Sequence, residues 1–134
     1  MRGAYILVIE VEKSLRIKVG KLGKIDFKKG FYCYVGSALG KSLSLENRIK
    51  RHLRKRKRLK WHIDYLLKNS SVRVRGFILF PTQEKVECLI SKKIEEKADK
   101  TIERFGASDC KCRGHLHYFK EKKKLIKVLD EIRV

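Results

Sequence analysis

The sequence predicts an α/β (α+β) domain, a small mixed or antiparallel central sheet flanked by helices. The first observation behind this is a switch of hydrophobic period along the chain, between the alternation of strands and the three-to-four-residue recurrence of helices. The second is the resulting order, βββ, α, α, β, α, closed by a further short strand and a basic helix. The third is size: 134 residues, 43% of them apolar, are enough for one modest core and point to one domain rather than two independent ones.

Gly3 to Glu12, rich in β-branched and aromatic residues, reads as a strand. Arg16 to Val19 follows after the break Lys13-Ser14, so a hairpin between the two is the simplest expectation. Gly20 and Gly23 bracket a turn, Ile25 to Phe27 forms a short strand, and the apolar Phe31 to Val35 after Gly30 should be a central strand. Leu45, Ile49 and Leu53 then fall at i, i+4 and i+8 behind Ser44, a suitable N-cap, and mark the first helix. Trp61 to Leu67 predicts a short second helix, and Val72 to Phe80 a strand ended by Pro81. Thr82 is positioned to cap a third helix with Val86, Leu89, Ile90 and Ile94 on one face, and Gly106 marks its latest stop. A cysteine-bearing loop, a strand at His115 to Phe119, and a basic amphipathic helix from about Lys120 carrying Leu125, Ile126, Leu129 and Ile132 complete the chain. Residues 1–119 are read as the main domain and residues 120–134 as a helix packed on it.

Thirty-five Lys and Arg against fifteen Asp and Glu give a net charge of +20, which calls for a polyanionic partner. Nucleic acid fits; a membrane does not, because no apolar run approaches the roughly 18 residues of a spanning helix. The apolar stretch Ala4 to Ile9 runs straight into Glu10 and Glu12, unlike a secretory signal, so an intracellular, cytoplasmic protein is expected. Three side-chain amides (Asn47, Asn69, Gln83) beside 37% charged residues suit a protein working at high temperature.

Gly3-Ala4-Tyr5 and Tyr34-Val35-Gly36 resemble the two tripeptides that name the GIY-YIG nuclease superfamily, with alanine and valine in place of the isoleucines. A loop, a helix bearing Arg48, a strand and a helix bearing Glu87 follow in the superfamily's order. Tyr34 to Gly40, Arg48 to His52, Trp61 to Leu67 and Gly106 to Leu116 are similar to the Uri-type branch of small archaeal and bacterial members, over about residues 3 to 119. One departure is the twelve positions from Gly36 to Arg48, where Gly40 to Leu45 looks like an insertion.

The resemblance implies a divalent-metal-dependent endonuclease acting on DNA, with RNA as an alternative. Glu87 would hold one Mg²⁺ or Mn²⁺ and Arg48 the scissile phosphate. Tyr5 would activate or orient the attacking water, with Tyr34 holding that water in line and nearby cations together with the metal ion lowering the Tyr5 pKa. Helical geometry at about 100° per residue puts Arg48 and His52 together on one flank, and Glu87 closer to its helix's apolar stripe than Glu84. His52 is therefore added to the catalytic candidates, and His62 with Asp64 is weighed as an oriented pair.

Nine of the thirteen residues from Arg48 to Lys60 are Lys or Arg. Lys50, Arg51, Arg54, Lys55, Arg56, Lys57, Arg58 and Lys60 are the expected nucleic-acid contacts, since acidic neighbours for an ion-pair network are scarce. Trp61 is read as packing at a helix start, with stacking on an unpaired base as the alternative. Cys110-x-Cys112-x-x-His115, with Cys88 as a fourth ligand, offers a structural zinc site despite its unusual C-x-C spacing. Free thiols and a disulfide in a hyperthermophile remain the alternatives there, and Cys33 reads as a buried packing thiol. Two rival functions accompany the nuclease: a non-catalytic nucleic-acid-binding or repair-accessory module, and a zinc-stabilised interaction domain.

Overall fold

The computed structural model describes residues 1–38, 44–54, 57–108 and 110–132. Most of the proposed insertion, together with Lys55, Arg56 and Asp109, lies outside the described residues.

The elements are β1 (Gly3–Val11), β2 (Leu15–Lys18), β3 (Lys24–Phe27), β4 (Gly30–Ala38), α1 (Leu45–Leu53), α2 (His62–Leu67), β5 (Val72–Pro81), α3 (Glu87–Lys97), β6 (Lys100–Thr101), β7 (Leu116–Phe119) and α4 (Lys122–Glu131). Five strands form one sheet in the order β5-β1-β4-β7-β6, with every pairing antiparallel. The α+β expectation and the central place of β4 are met.

β1 and β4 run side by side for their full length, Gly3 opposite Ala38 and Val11 opposite Gly30. Successive side chains alternate between the two faces, so each strand feeds two cores. Tyr5, Leu7, Ile9, Tyr32 and Tyr34 pack with Leu45 and Ile49 of α1 and with Ile63, Leu66 and Leu67 of α2. Ala4, Ile6, Cys33 and Val35 pack with Ile90 and Ile94 of α3 and with Leu125, Val128 and Ile132 around α4. The molecule is thus three layers, α1/α2, sheet, α3/α4. Each fully buried aliphatic side chain in them contributes about 1.5–3 kcal/mol.

The expected hairpin between β1 and β2 does not form; β2 pairs with β3 in a separate two-stranded ribbon. β2 alternates half-buried Leu15 and Ile17 with exposed Arg16 and Lys18. Both edges of β1 are taken by β4 and β5, and Arg16 of β2 pairs across the ribbon with Asp26 of β3. Thr82 does not cap α3: its Oγ1 accepts from the Glu84 amide, and the helix begins at Glu87 without a side-chain cap. Leu89 is exposed because the buried face of α3 turns on Ser91, whose hydroxyl donates to the Gly114 carbonyl and bonds His117. Among the described residues no helix is long and apolar enough to cross a membrane.

Candidate functional site

Ser44 starts α1 by accepting the Asn47 amide on its hydroxyl, as its sequence position predicts. From there Ile49 and His52, three residues apart, share the face turned to the sheet. Tyr5 and Tyr34 rise toward them on adjacent strands, Tyr5 opposite Gly36 and Tyr34 opposite Leu7. The Tyr5 hydroxyl lies 2.7 Å from His52 Nε2. Ring centroids are 6.4 Å apart for Tyr5 and Tyr34, 5.4 Å for Tyr5 and His52, and 6.1 Å for Tyr34 and His52. Gly36 makes room for this cluster: a Cβ there would sit 2.4 Å from the Tyr5 hydroxyl.

All three rings are buried, Tyr5 at 1%, His52 at 2% and Tyr34 at 7% exposure. Burial, helped by the neighbouring Tyr34, pushes the Tyr5 pKa well above its ordinary value, and Arg48 and Arg51 only partly oppose it. Arg48 and Arg51 by themselves therefore do not lower the Tyr5 pKa, because desolvation outweighs them. Burial, then the Lys57 charge, depresses His52 to about 3. At neutral pH the cluster is an uncharged phenol bonded to an uncharged imidazole.

Arg48, one turn before His52, places its guanidinium carbon 4.2 Å from the centroid of the Trp61 ring, and Arg51 lies 4.1 Å from the same centroid. Trp61 is thus a cation platform. Arg51 is held by Asp64, its Nη1 and Nη2 donating to Oδ1 and Oδ2 at 2.7 and 2.8 Å. Asp64 Oδ2 also accepts the Lys60 and Trp61 amides at 2.9 and 2.8 Å. Burial alone would raise this carboxyl's pKa; the hydrogen bonds from Arg51, Trp61 and Lys60 reverse that and hold it below the ordinary range. The proposed His62–Asp64 pair is accordingly absent, since His62 Nδ1 accepts the Gly106 amide instead.

Above this scaffold an open groove of roughly 680 Å³ is lined by Asn47, Arg48, Lys50, Arg51, Arg54 and Trp61, among others. Lys50, Arg54, Arg58 and Lys60 are exposed. Two of the expected nucleic-acid contacts are engaged internally: Arg51 by Asp64, and Lys57, whose ammonium donates to the Arg51 and His52 carbonyls at the end of α1. Lys55 and Arg56 lie outside the described residues. Among the described residues two buried side-chain polar atoms lack a hydrogen-bond partner, Arg48 Nε and His52 Nδ1.

Glu87 is not brought to this cluster. It opens α3, which packs on the face of Ala4, Ile6, Cys33 and Val35, whereas Tyr5 and Tyr34 point to the other face. No hydrogen bond or ion pair among the described residues joins Glu87 to the tyrosines, Arg48 or His52, and the one group of three or more potential metal ligands among those residues does not include it. Helical arithmetic gave Glu87 the right side of its own helix but carried no information on which sheet face that helix covers.

The next residue on α3 belongs to a different constellation. Cys88, Cys110, Cys112 and His115 bring their sulfur and nitrogen atoms within 4.8 Å of one another, a Cys₃His cluster that could hold a metal ion. The four are those the sequence spacing grouped. Sequence reading missed a second buried network, His117 between Ser91 Oγ and Thr101 Oγ1 at 2.7 Å each. Only the i, i+2 alternation His115, His117 on a short strand hinted at it.

The chain belongs to the family described as domain of unknown function DUF123, which matches residues 4–133. No curated protein and no solved structure matches the chain.

Proposed function

We propose that this member of the DUF123 family is a nucleic-acid-binding endonuclease of GIY-YIG type, with Tyr5, Tyr34, Arg48 and His52 as its phosphodiester site. The observation that carries the reading is the pair of buried atoms without partners, Arg48 Nε and His52 Nδ1, beside the Tyr5–His52 hydrogen bond and the cationic groove. Buried polar groups are nearly always paired, and a phosphate oxygen is the acceptor that a guanidinium in a basic groove calls for.

The chemistry follows from the charge states. Arg48 binds the scissile phosphate and offsets the charge that develops on it. That phosphate brings negative charge to a pair that is neutral without it, which favours protonated His52. Tyr5 can then take a proton from the attacking water while passing its own to His52 Nε2; as the water oxygen bonds phosphorus the P–O bond to the leaving strand breaks and solvent protonates the departing oxygen, while Tyr34 packs against both rings and holds them in place. Lys50, Arg54, Arg58 and Lys60 supply the salt-dependent contacts to neighbouring phosphates.

A second reading, docking without cleavage, is favoured by one observation: α3, which begins at Glu87, packs on the sheet face opposite the cluster. Nicking of supercoiled, branched and single-stranded DNA and of RNA, in chelator, Mg²⁺ and Mn²⁺, separates the two. Cleavage should fall by about 10²–10⁴ in Tyr5→Phe and Arg48→Ala, with binding largely kept. Glu87→Gln reports on the implied metal ion. Tight binding with no cleavage under any condition gives the docking reading; absence of binding refutes both.

A further inference from the structure

We propose that Cys88, Cys110, Cys112 and His115 hold one structural zinc ion, which clamps the loop forming the Tyr34 side of the site. With Zn–S of about 2.3 Å and Zn–N of about 2.0–2.1 Å, the edges of a tetrahedral S₃N site are about 3.6 Å for sulfur to nitrogen and 3.8 Å for sulfur to sulfur. Cys110 Sγ lies 3.5 Å and Cys88 Sγ 3.8 Å from His115 Nε2. Two sulfur-to-nitrogen edges thus already match such a site, and all four ligand atoms lie within 4.8 Å of one another.

The partner of the other ring nitrogen agrees. His115 Nδ1 is 3.1 Å from the Val35 carbonyl, an acceptor only, so Nδ1 carries the proton and Nε2 presents its lone pair to the three sulfurs. Three thiols are weak donors and weak acceptors that gain little from one another, whereas zinc binds thiolates strongly. All four positions are filled by protein, which marks a closed structural site rather than one with a vacancy for substrate.

The position of the cluster gives it a consequence. Cys88 lies in the first turn of α3, Cys110 and Cys112 in the loop after β6, and His115 immediately before β7, so the ion would tie α3 to the sheet edge. The same loop sets Phe105 edge-on to Tyr34 at 6.3 Å and donates the Gly106 amide to His62 Nδ1 at 2.9 Å. Gly106 holds φ at +68°, and a Cβ there would come within 3.0 Å of the Tyr34 ring. The clamp is independent of whether that site cuts nucleic acid.

The test is metal analysis of the full chain, purified without chelator. One zinc per chain is expected, released by thiol modification, and Co²⁺ exchanged into the protein should give the visible bands and thiolate charge-transfer absorption of a tetrahedral thiolate site. Cys110→Ser and Cys112→Ser should lose the metal and Cys33→Ala should keep it, because Cys33 lies buried outside the cluster. In wild type, chelation should speed hydrogen exchange at the Gly106 amide, a readout that needs no variant to fold. A metal-free protein with freely alkylated thiols, a disulfide within the cluster, or unchanged Gly106 exchange after metal removal would overturn the proposal.

Discussion

Asp64→Asn tests the buried carboxylate on which the cationic groove is built. Asp64 is fully buried, while Arg51 keeps 18% of its side chain exposed. Oδ2 accepts three hydrogen bonds and Oδ1 one, all from 2.7 to 2.9 Å. An asparagine can keep its carbonyl oxygen where Oδ2 sits, but its amide then faces Arg51 Nη1 donor to donor, and the charge is gone. Breaking a buried pair costs about 3–5 kcal/mol; retained bonds and partial hydration of Arg51 place this variant near about 3 kcal/mol. For a domain of this size that lowers Tm by roughly 10 °C. Urea and thermal unfolding read the cost, and Arg51→Met/Asp64→Asn should lose less than the sum of the single variants. The depressed pKa adds a pH signature: the carboxylate's contribution is present above its unfolded pKa of about 3.9 and lost as pH falls through the lower folded value. The wild-type advantage should therefore shrink below about pH 4. A cost under about 1 kcal/mol, or strict additivity, would refute this account of the Arg51–Asp64 pair.

Nucleic-acid affinity should fall steeply with salt, and Lys50→Ala, Arg54→Ala and Lys60→Ala should each flatten the log–log slope by up to about 1, as measured by fluorescence anisotropy. Gly36→Ala should disconnect Tyr5 from His52, because the new methyl overlaps the phenol. It should cost about 1–3 kcal/mol and abolish cleavage while leaving the basic surface intact. His52 and His117 are both depressed to about 3, chiefly by burial. Their neutral forms contribute stability that is fully present above the unfolded pKa of about 6.5 and lost as pH falls toward 3. Unfolding free energy should decline by up to about 1.4 kcal/mol per pH unit for each, with neither ring titrating between pH 5 and 8 by NMR.

Local signals located most elements. The Leu45, Ile49, Leu53 stripe behind Ser44 marks α1 because capping and helical period act within a few residues. The places of β5 and β7 likewise follow from runs of β-branched and aromatic residues between turn formers, whereas β4 runs past the expected Val35 to Ala38, where Gly36, Ser37 and Ala38 pair with β1. β6 escaped notice: Lys100 and Thr101 pair with β7 without any run of their own. The β1–β2 hairpin was wrongly expected because adjacency along the chain does not show that β4 and β5 take both edges of β1.

For the candidate site, the sequence by itself determined the charge, the grouping of Arg48 with His52 on one flank, and the Cys₃His spacing, all properties of composition or of a few neighbouring positions. Only the tertiary structure decided that Tyr5 bonds His52, that Asp64 ties down Arg51 under Trp61, and that Glu87 stands beyond the sheet. Alternation on β1 sends Tyr5 and Ala4 to opposite layers, and which helix covers which layer is settled by the packing of the whole core. Desolvation, which turned the Tyr5 pKa upward against its cations, is likewise a property of that packing and is written in no single residue.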